Sequence, residues 1–163
     1  MRRIIVGVMG PGEKCSKQDG QRAFELGALI AKNGWVLLSG GRNVGAMNEA
    51  NRGAKSQNGL TIGIIPRADP GFVSEFVDVP IYTDLGSARN NINVLSCNAI
   101  ISLNFSTPGT LSEVALALKA KKNVVLLSDD KEAVKFVQKM APTLVYVAKN
   151  PKEAIEITKR LLR

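Results

Sequence analysis

Seven short apolar runs, at residues 4–9, 35–38, 60–65, 79–82, 99–103, 124–127 and 144–147, recur along the chain, most of them separated by a segment of helical period. Across residues 19–33, Ala23, Leu26, Gly27 and Ile30 fall at helix spacing, and Gly34 supplies a stop. Across residues 84–97 the stripe is Leu85, Ala88, Ile92 and Leu95, with Asp84 as the expected cap and Arg89 at the flank. The last helix opens on Asn150, with Pro151 in its first turn and Glu153 placed to bond back to the cap. Strands that are apolar almost throughout, each feeding a helix, predict an α/β fold. The form expected is a Rossmann-like parallel sheet of about seven strands with helices on both faces. The chain has 163 residues and carries no repeat or long linker, so one domain over residues 1–163 is expected. Sheets of this kind bind ligands outside the carboxyl ends of their strands, so function is sought in the loops that follow strands.

Composition narrows the chemistry. Histidine is absent, which removes the commonest general base and most transition-metal sites, and no catalytic metal is expected. Cys15 and Cys97 form neither a disulfide framework nor a Cys-x-x-Cys pair; Cys97 reads as a small buried hydrophobe. Lys and Arg total 22 against 14 acids, a net charge of +8 that favours an anionic partner. No apolar run reaches the ~20 residues that span a bilayer, and the first is too short for a signal peptide. A cytoplasmic protein without a membrane partner is expected.

The first loop contains Gly10-Pro11-Gly12, but Cys15 stands where a dinucleotide fingerprint needs its third glycine. The second run ends Leu37-Leu38-Ser39-Gly40, without the acid that would hold a ribose, so NAD is not expected. Gly10 and Gly12 permit close approach of backbone to a ligand; equally, they serve a tight turn with Ser16 capping the next helix. The second loop, Ser39-Gly40-Gly41-Arg42-Asn43-Val44-Gly45-Ala46-Met47, offers backbone N–H groups and a helix N-terminus to a phosphate. Gly40 and Gly45 have P-loop spacing, but Ala46-Met47 replaces the Lys-Ser/Thr of an NTPase. Arg42 either clamps the phosphate or stands solvated. In the third loop Ser106, Thr107, Gly109 and Thr110 open a helix whose first turn is expected to hold Glu113 as a complement to the helix dipole. Residues 111–118 are apolar nearly all round, which fits deep burial or a subunit interface. Phe24, Trp35 and Tyr82 read as core or near-core positions.

Taken together these loops resemble a known superfamily. Gly40-Gly41-x-x-x-Gly45-x-Met47, then Gly59-x-x-Ile62-Gly63-Ile64-Ile65-Pro66, and Ala88-Arg89-Asn90 leading to Gly109-Thr110-Leu111-Ser112-Glu113, are similar to the Rossmann-like proteins once called lysine decarboxylases. That superfamily includes the LONELY GUY phosphoribohydrolases and the molybdenum cofactor carrier proteins. Ala-Arg-Asn and Thr-Leu-Ser-Glu resemble the carrier branch more closely. The superfamily's third loop usually reads Pro-Gly-Gly-x-Gly-Thr-x-x-Glu, whereas here Ser106 and Thr107 replace the two glycines and Pro108 lacks an N–H. A binding geometry tolerates that change better than a catalytic one.

The resemblance to the carrier branch implies a phosphorylated pterin-type molybdenum cofactor, carried without chemical turnover. Its phosphate would lie against Gly40, Gly41, Arg42, Asn43, Gly45, Ser106, Thr107, Gly109 and Thr110, with Gly10 and Gly12 bordering the ring system. It also implies a homodimer or homotetramer, with molybdoenzymes as cofactor acceptors. The alternative is a phosphoribohydrolase acting on nucleoside 5'-monophosphates, in which Arg89 and Glu113 match the catalytic arginine and glutamate. A single-stranded nucleic-acid reading of the net charge ranks last, since aromatics are 5% of the chain and the basic residues are scattered.

Overall fold

The computed structural model describes residues 2–105 and 107–163. Strands β1 (Ile5–Met9), β2 (Val36–Ser39), β3 (Thr61–Ile65), β4 (Val79–Tyr82), β5 (Ala99–Leu103), β6 (Val124–Leu127) and β7 (Val145–Val147) form one sheet in the order β4-β3-β2-β1-β5-β6-β7. Every neighbouring pair is parallel. The helices are α1 (Lys17–Lys32), α2 (Gly45–Lys55), α3 (Arg89–Leu95), α4 (Pro108–Lys119), α5 (Lys131–Met140) and α6 (Pro151–Leu161). The α/β reading of the sequence therefore holds, and the strand positions agree with the expected ones to within a residue at each end.

Alternate residues of the inner strands feed two separate cores. Val6, Val8, Leu37, Ile101, Leu103, Val125 and Leu127 pack with α1, α2 and α6 on one face. Met9, Leu38, Ile64, Ile100, Val124, Leu126 and Val145 pack with α3, α4 and α5 on the other. The chain runs outward from β1 to β4 and then returns to place β5 on the other side of β1. The strand order reverses there, and the loops leaving β1 and β5 diverge to opposite faces, opening a crevice at the carboxyl edge.

Helices α1 and α2 touch backbone to backbone. A Cβ added at Gly27 would lie 2.0 Å from the Ala50 carbonyl oxygen, and one at Gly53 would lie 2.0 Å from that of Phe24. This contact fixes the two helices that follow the first two loops. The caps are as the sequence predicts at α1, where Ser16 accepts the Asp19 N–H, and at α6, where Asn150 accepts that of Glu153. The Glu153 carboxylate reaches one residue further back than expected, to the Lys149 N–H.

The segment 84–97 departs from expectation. Asp84 takes a left-handed φ of 53° and caps nothing; a 3-10 turn over Gly86–Ala88 leads into a short α3 that begins at Arg89. Its buried face is Arg89, Asn90, Asn93 and Val94, whereas Leu85 and Leu95 are each 52% exposed. Of the expected stripe Leu85, Ala88 and Leu95 are exposed and only Ile92 packs on the core, while Arg89 and Asn90 take the side of α3 that borders a polar cavity. Helix α4 is also one-sided: Val114 and Ala117 are buried, and Leu111 is exposed. Tyr82 lies exposed on the edge strand β4, not in the core, while Phe24 is half-buried beneath Arg52 and Trp35 packs against the α1 side.

The α1–α2 contact makes a paired prediction. Gly27→Ala should cost about 1–3 kcal/mol or more, because the added methyl meets immovable backbone. Gly20→Ala, in the same helix with only the Glu49 side chain 3.6 Å away, should be neutral or stabilising by about 0.5–1 kcal/mol. Urea midpoints of both variants check the contrast.

Candidate functional site

The loops after β1, β2, β3 and β5 and the start of α3 enclose a cavity of about 660 Å3 at the carboxyl edge. That is the size of a small-molecule site, ~300–1,000 Å3. With strands ~4.8 Å apart, the ends of β3 and β5 stand three intervals, on the order of 14 Å, apart. Lys14, Arg42, Arg67 and Arg89 line the cavity against Glu13 and Glu113, so its charge favours an anion.

Arg89 is the most constrained of these groups. Its guanidinium is buried and donates to Asn90 Oδ1 at 2.7 Å and to the Gly40 carbonyl at 3.4 Å. The same Nη1 stands 3.7 Å from Glu113 Oε1, which also accepts from Asn93 Nδ2 at 2.7 Å. Asn90 Nδ2 donates to Ser112 Oγ, which donates to the Gly109 carbonyl, tying α3 to the opening turn of α4. Among the described residues Arg89 Nε and Asn93 Oδ1 lack a partner. Burial pushes the Glu113 carboxyl up to about 7, against the opposing effects of the Asn93 hydrogen bond and the Arg89 charge. Burial also lowers the Arg89 pKa, with Glu113 opposing and Arg42 adding to the shift. Desolvation thus outweighs the mutual attraction of the pair, as is common for buried ions.

Glu113 therefore does not serve the dipole of α4. It lies in the second turn, faces inward and belongs to the polar group around Arg89. The cap is Thr107, whose hydroxyl accepts the Thr110 N–H and stands 3.0 Å from the Thr110 hydroxyl. Arg42 is not freely solvated: its Nη2 lies 2.5 Å from Glu13 Oε1, and both side chains line the cavity. A backbone hydrogen bond, followed by Arg42, holds the Glu13 carboxyl below its ordinary value.

The glycine loop after β2 is less open than its sequence implies. Three of its N–H groups already have partners: Gly41 donates to Ser39 Oγ, Asn43 to the Phe72 carbonyl and Ala46 to the Pro11 carbonyl. Gly45 has a φ of +56°, and a Cβ there would lie 2.2 Å from the Gly12 carbonyl oxygen, so this glycine lets the first two loops meet. Of the candidate residues, Gly10, Gly12, Gly40, Arg42, Thr107, Gly109, Thr110, Arg89 and Glu113 line the cavity. Gly41, Asn43 and Gly45 do not; they brace the loop from behind. Ser106 lies outside the described residues. Cys15 is not in the cavity wall but packs, half-buried, toward the α1 core.

Sequence reasoning missed Lys14, Pro66, Arg67, Phe72, Gly86, Ser87 and Asn90 as wall residues. The signal for Pro66, Arg67 and Phe72 was topological. The loop after β3 leaves the same sheet edge as the three loops that were searched, but it carries no glycine or hydroxyl cluster to draw notice.

The model of the SLOG cluster4 family matches residues 3–155. Over its whole length the chain is similar to the molybdenum cofactor binding protein from the phototrophic bacterium Rippkaea orientalis. The identity is 50% and the TM-score 0.97, with 100% of this chain and 99% of that chain covered. It is likewise similar to the Moco carrier protein from Chlamydomonas reinhardtii, at 50% identity and a TM-score of 0.93, with 99% and 98% covered. A cytokinin riboside 5'-monophosphate phosphoribohydrolase from Mycobacterium marinum is 32% identical over 94 residues, which are 56% of this chain and 50% of that protein.

The buried carboxyl predicts a pH signature. Glu113 binds its proton more tightly folded, at about 7, than at its ordinary value of 4.5. Its contribution to stability is therefore greatest at low pH, falls as pH rises from about 4.5 to 7, and is level above that. No histidine titrates in the same window. Between pH 5 and pH 8 the wild type should lose roughly 1–3 kcal/mol through this group, and Glu113→Gln should abolish that slope. Urea midpoints at four pH values check it; parallel profiles would contradict the assignment.

Proposed function

The chain belongs to the SLOG cluster4 family, and from that premise we propose that it binds and carries a phosphorylated, pterin-type molybdenum cofactor without turning it over. The observation that carries this reading is the whole-length likeness, at a TM-score of 0.97 and 50% identity, to a molybdenum cofactor binding protein. The cavity supports it on physical grounds. Four basic side chains face two acidic ones around a volume of about 660 Å3, and the walls combine open glycine backbone with a helix N-terminus.

In this reading Gly40, Thr107, Gly109 and Thr110 form the surface a phosphate approaches, Gly10 and Gly12 border the ring system, and Arg42 moves from Glu13 to the incoming anion. The exchange replaces a single contact to a carboxylate oxygen with contacts to a phosphate, which the guanidinium fork can take bidentately. Gly41, Asn43 and Gly45 hold the loop in shape, and Ser106 is assigned to the same seat from its place between β5 and α4. Carriage without turnover is supported by the state of Thr107 and Glu113. The Thr107 hydroxyl is committed to capping α4, and Glu113 is buried with one oxygen bonded to Asn93. Arg89 and Glu113 then serve as a brace between α3, α4 and the Gly40 turn.

The outward apolar residues Leu85, Leu95 and Leu111 support a homo-oligomer, a dimer or tetramer, closing over α3 and α4. Among the described residues no helix is long and apolar enough to cross a membrane. We place the protein in the cytoplasm, with molybdoenzymes as recipients of the cofactor.

Anaerobic gel filtration after addition of molybdenum cofactor tests the reading. Cofactor should elute with the protein, at a mass that is a multiple of 17.5 kDa, and Arg42→Ala should lose most of it. Nucleoside 5'-monophosphates incubated with the protein should be recovered whole. Absence of retention, or release of free base that Glu113→Gln abolishes, would contradict carriage.

A further inference from the structure

The wall of the cavity is chemically uneven along the sheet edge. The loops after β1, β2 and β5 bring glycines, hydroxyls and Arg42, groups suited to a phosphate. The loop after β3 brings Phe72, which is the one aromatic side chain among the described wall residues. Phe72 is half-buried, and the Arg67 guanidinium lies 5.0 Å from its ring centroid. The cation covers one face of the ring and polarises it, and both groups line the cavity from the loop after β3.

That surface is held firmly from outside the cavity. The Phe72 carbonyl accepts the Asn43 N–H at 3.0 Å, and the Ser74 N–H donates to the Gly41 carbonyl at 2.9 Å. Ser74 Oγ donates to Asn48 Oδ1 at 2.8 Å, and Asp69 accepts the Gly71 N–H at 2.8 Å. The segment carrying Phe72 is thereby stitched to the glycine loop, so little ordering remains to oppose stacking when a ligand arrives.

From this we infer that Phe72, with Arg67 beside it, is the platform on which the ring system of the carried ligand stacks. It selects heteroaromatic phosphates over phosphate esters without an aromatic ring. The inference rests on the cofactor reading above and shifts the ring from the Gly10–Gly12 border to the β3 side. A ligand with a phosphate at one end and a fused ring at the other then places its ring at the loop after β3 and its phosphate toward the loop after β5, with Arg42 between them.

The test measures affinity for two probes, fluorescent 6-hydroxymethylpterin phosphate and ribose 5-phosphate, which has no aromatic ring. Phe72→Leu keeps apolar volume without the π-face, and Phe72→Trp keeps the face; thermal melting of each variant reads its fold. Phe72→Leu should bind the pterin phosphate roughly tenfold more weakly, Phe72→Trp should restore it, and neither should change binding of ribose 5-phosphate. Unchanged pterin phosphate affinity in Phe72→Leu overturns the inference and leaves the cofactor reading standing. Equal weakening toward both probes also overturns it, because the loop then acts through shape alone. A wild type that ignores the pterin phosphate contradicts the cofactor reading and overturns the inference with it.

Discussion

Arg89 holds its guanidinium in the interior, and the shape of the cavity follows from where that charge is satisfied. One side reaches the Gly40 carbonyl at the end of β2, another reaches Asn90, and Glu113 on α4 stands 3.7 Å away. Three elements that are far apart in sequence are tied to one planar cation. The arrangement also explains the absence of a side chain at Gly40, where a Cβ would lie 2.6 Å from Arg89 Nη2. A buried ion held in this way adds little net stability, since desolvation cancels most of the attraction. Its value lies in position: it fixes the loop after β2 relative to the helix after β5, and the ligand space is what remains between them.

That same cation accounts for the place where hydrophobic pattern misleads. Leu85, Ala88, Ile92 and Leu95 have the spacing of an inward stripe, yet Leu85 and Leu95 face outward. Periodicity finds an apolar face; it does not say whether the face meets the core of its own chain or another surface. The strands suffered no such ambiguity, because the inner parallel strands are buried on both faces and are apolar almost throughout. The site was legible to the extent that it used glycine and hydroxyl residues after strands. Phe72 and Arg67 escaped because nothing local distinguishes them; only the sheet order brings their loop beside the others. Gly41 and Gly45 were legible as glycines that matter, but they lie outside the cavity wall and let backbones meet.

Carriage and hydrolysis differ in how Arg89 and Glu113 would be used. Glu113 is buried, raised to about 7 and bonded to Asn93, and so is bound into the frame between α3 and α4. At the opening of α4 Thr107 is the cap and Pro108 supplies no N–H. A binding geometry tolerates such a loop better than a catalytic one. The positive balance of the sequence supplies general attraction, and the four basic wall residues give it a destination.

Mass spectrometry of the small molecules released from the protein after anaerobic purification tests the central claim most directly. A pterin-bearing phosphate ester, intact and accompanied by molybdenum, is the expected result. A nucleoside monophosphate with its free base in place of the pterin would contradict it.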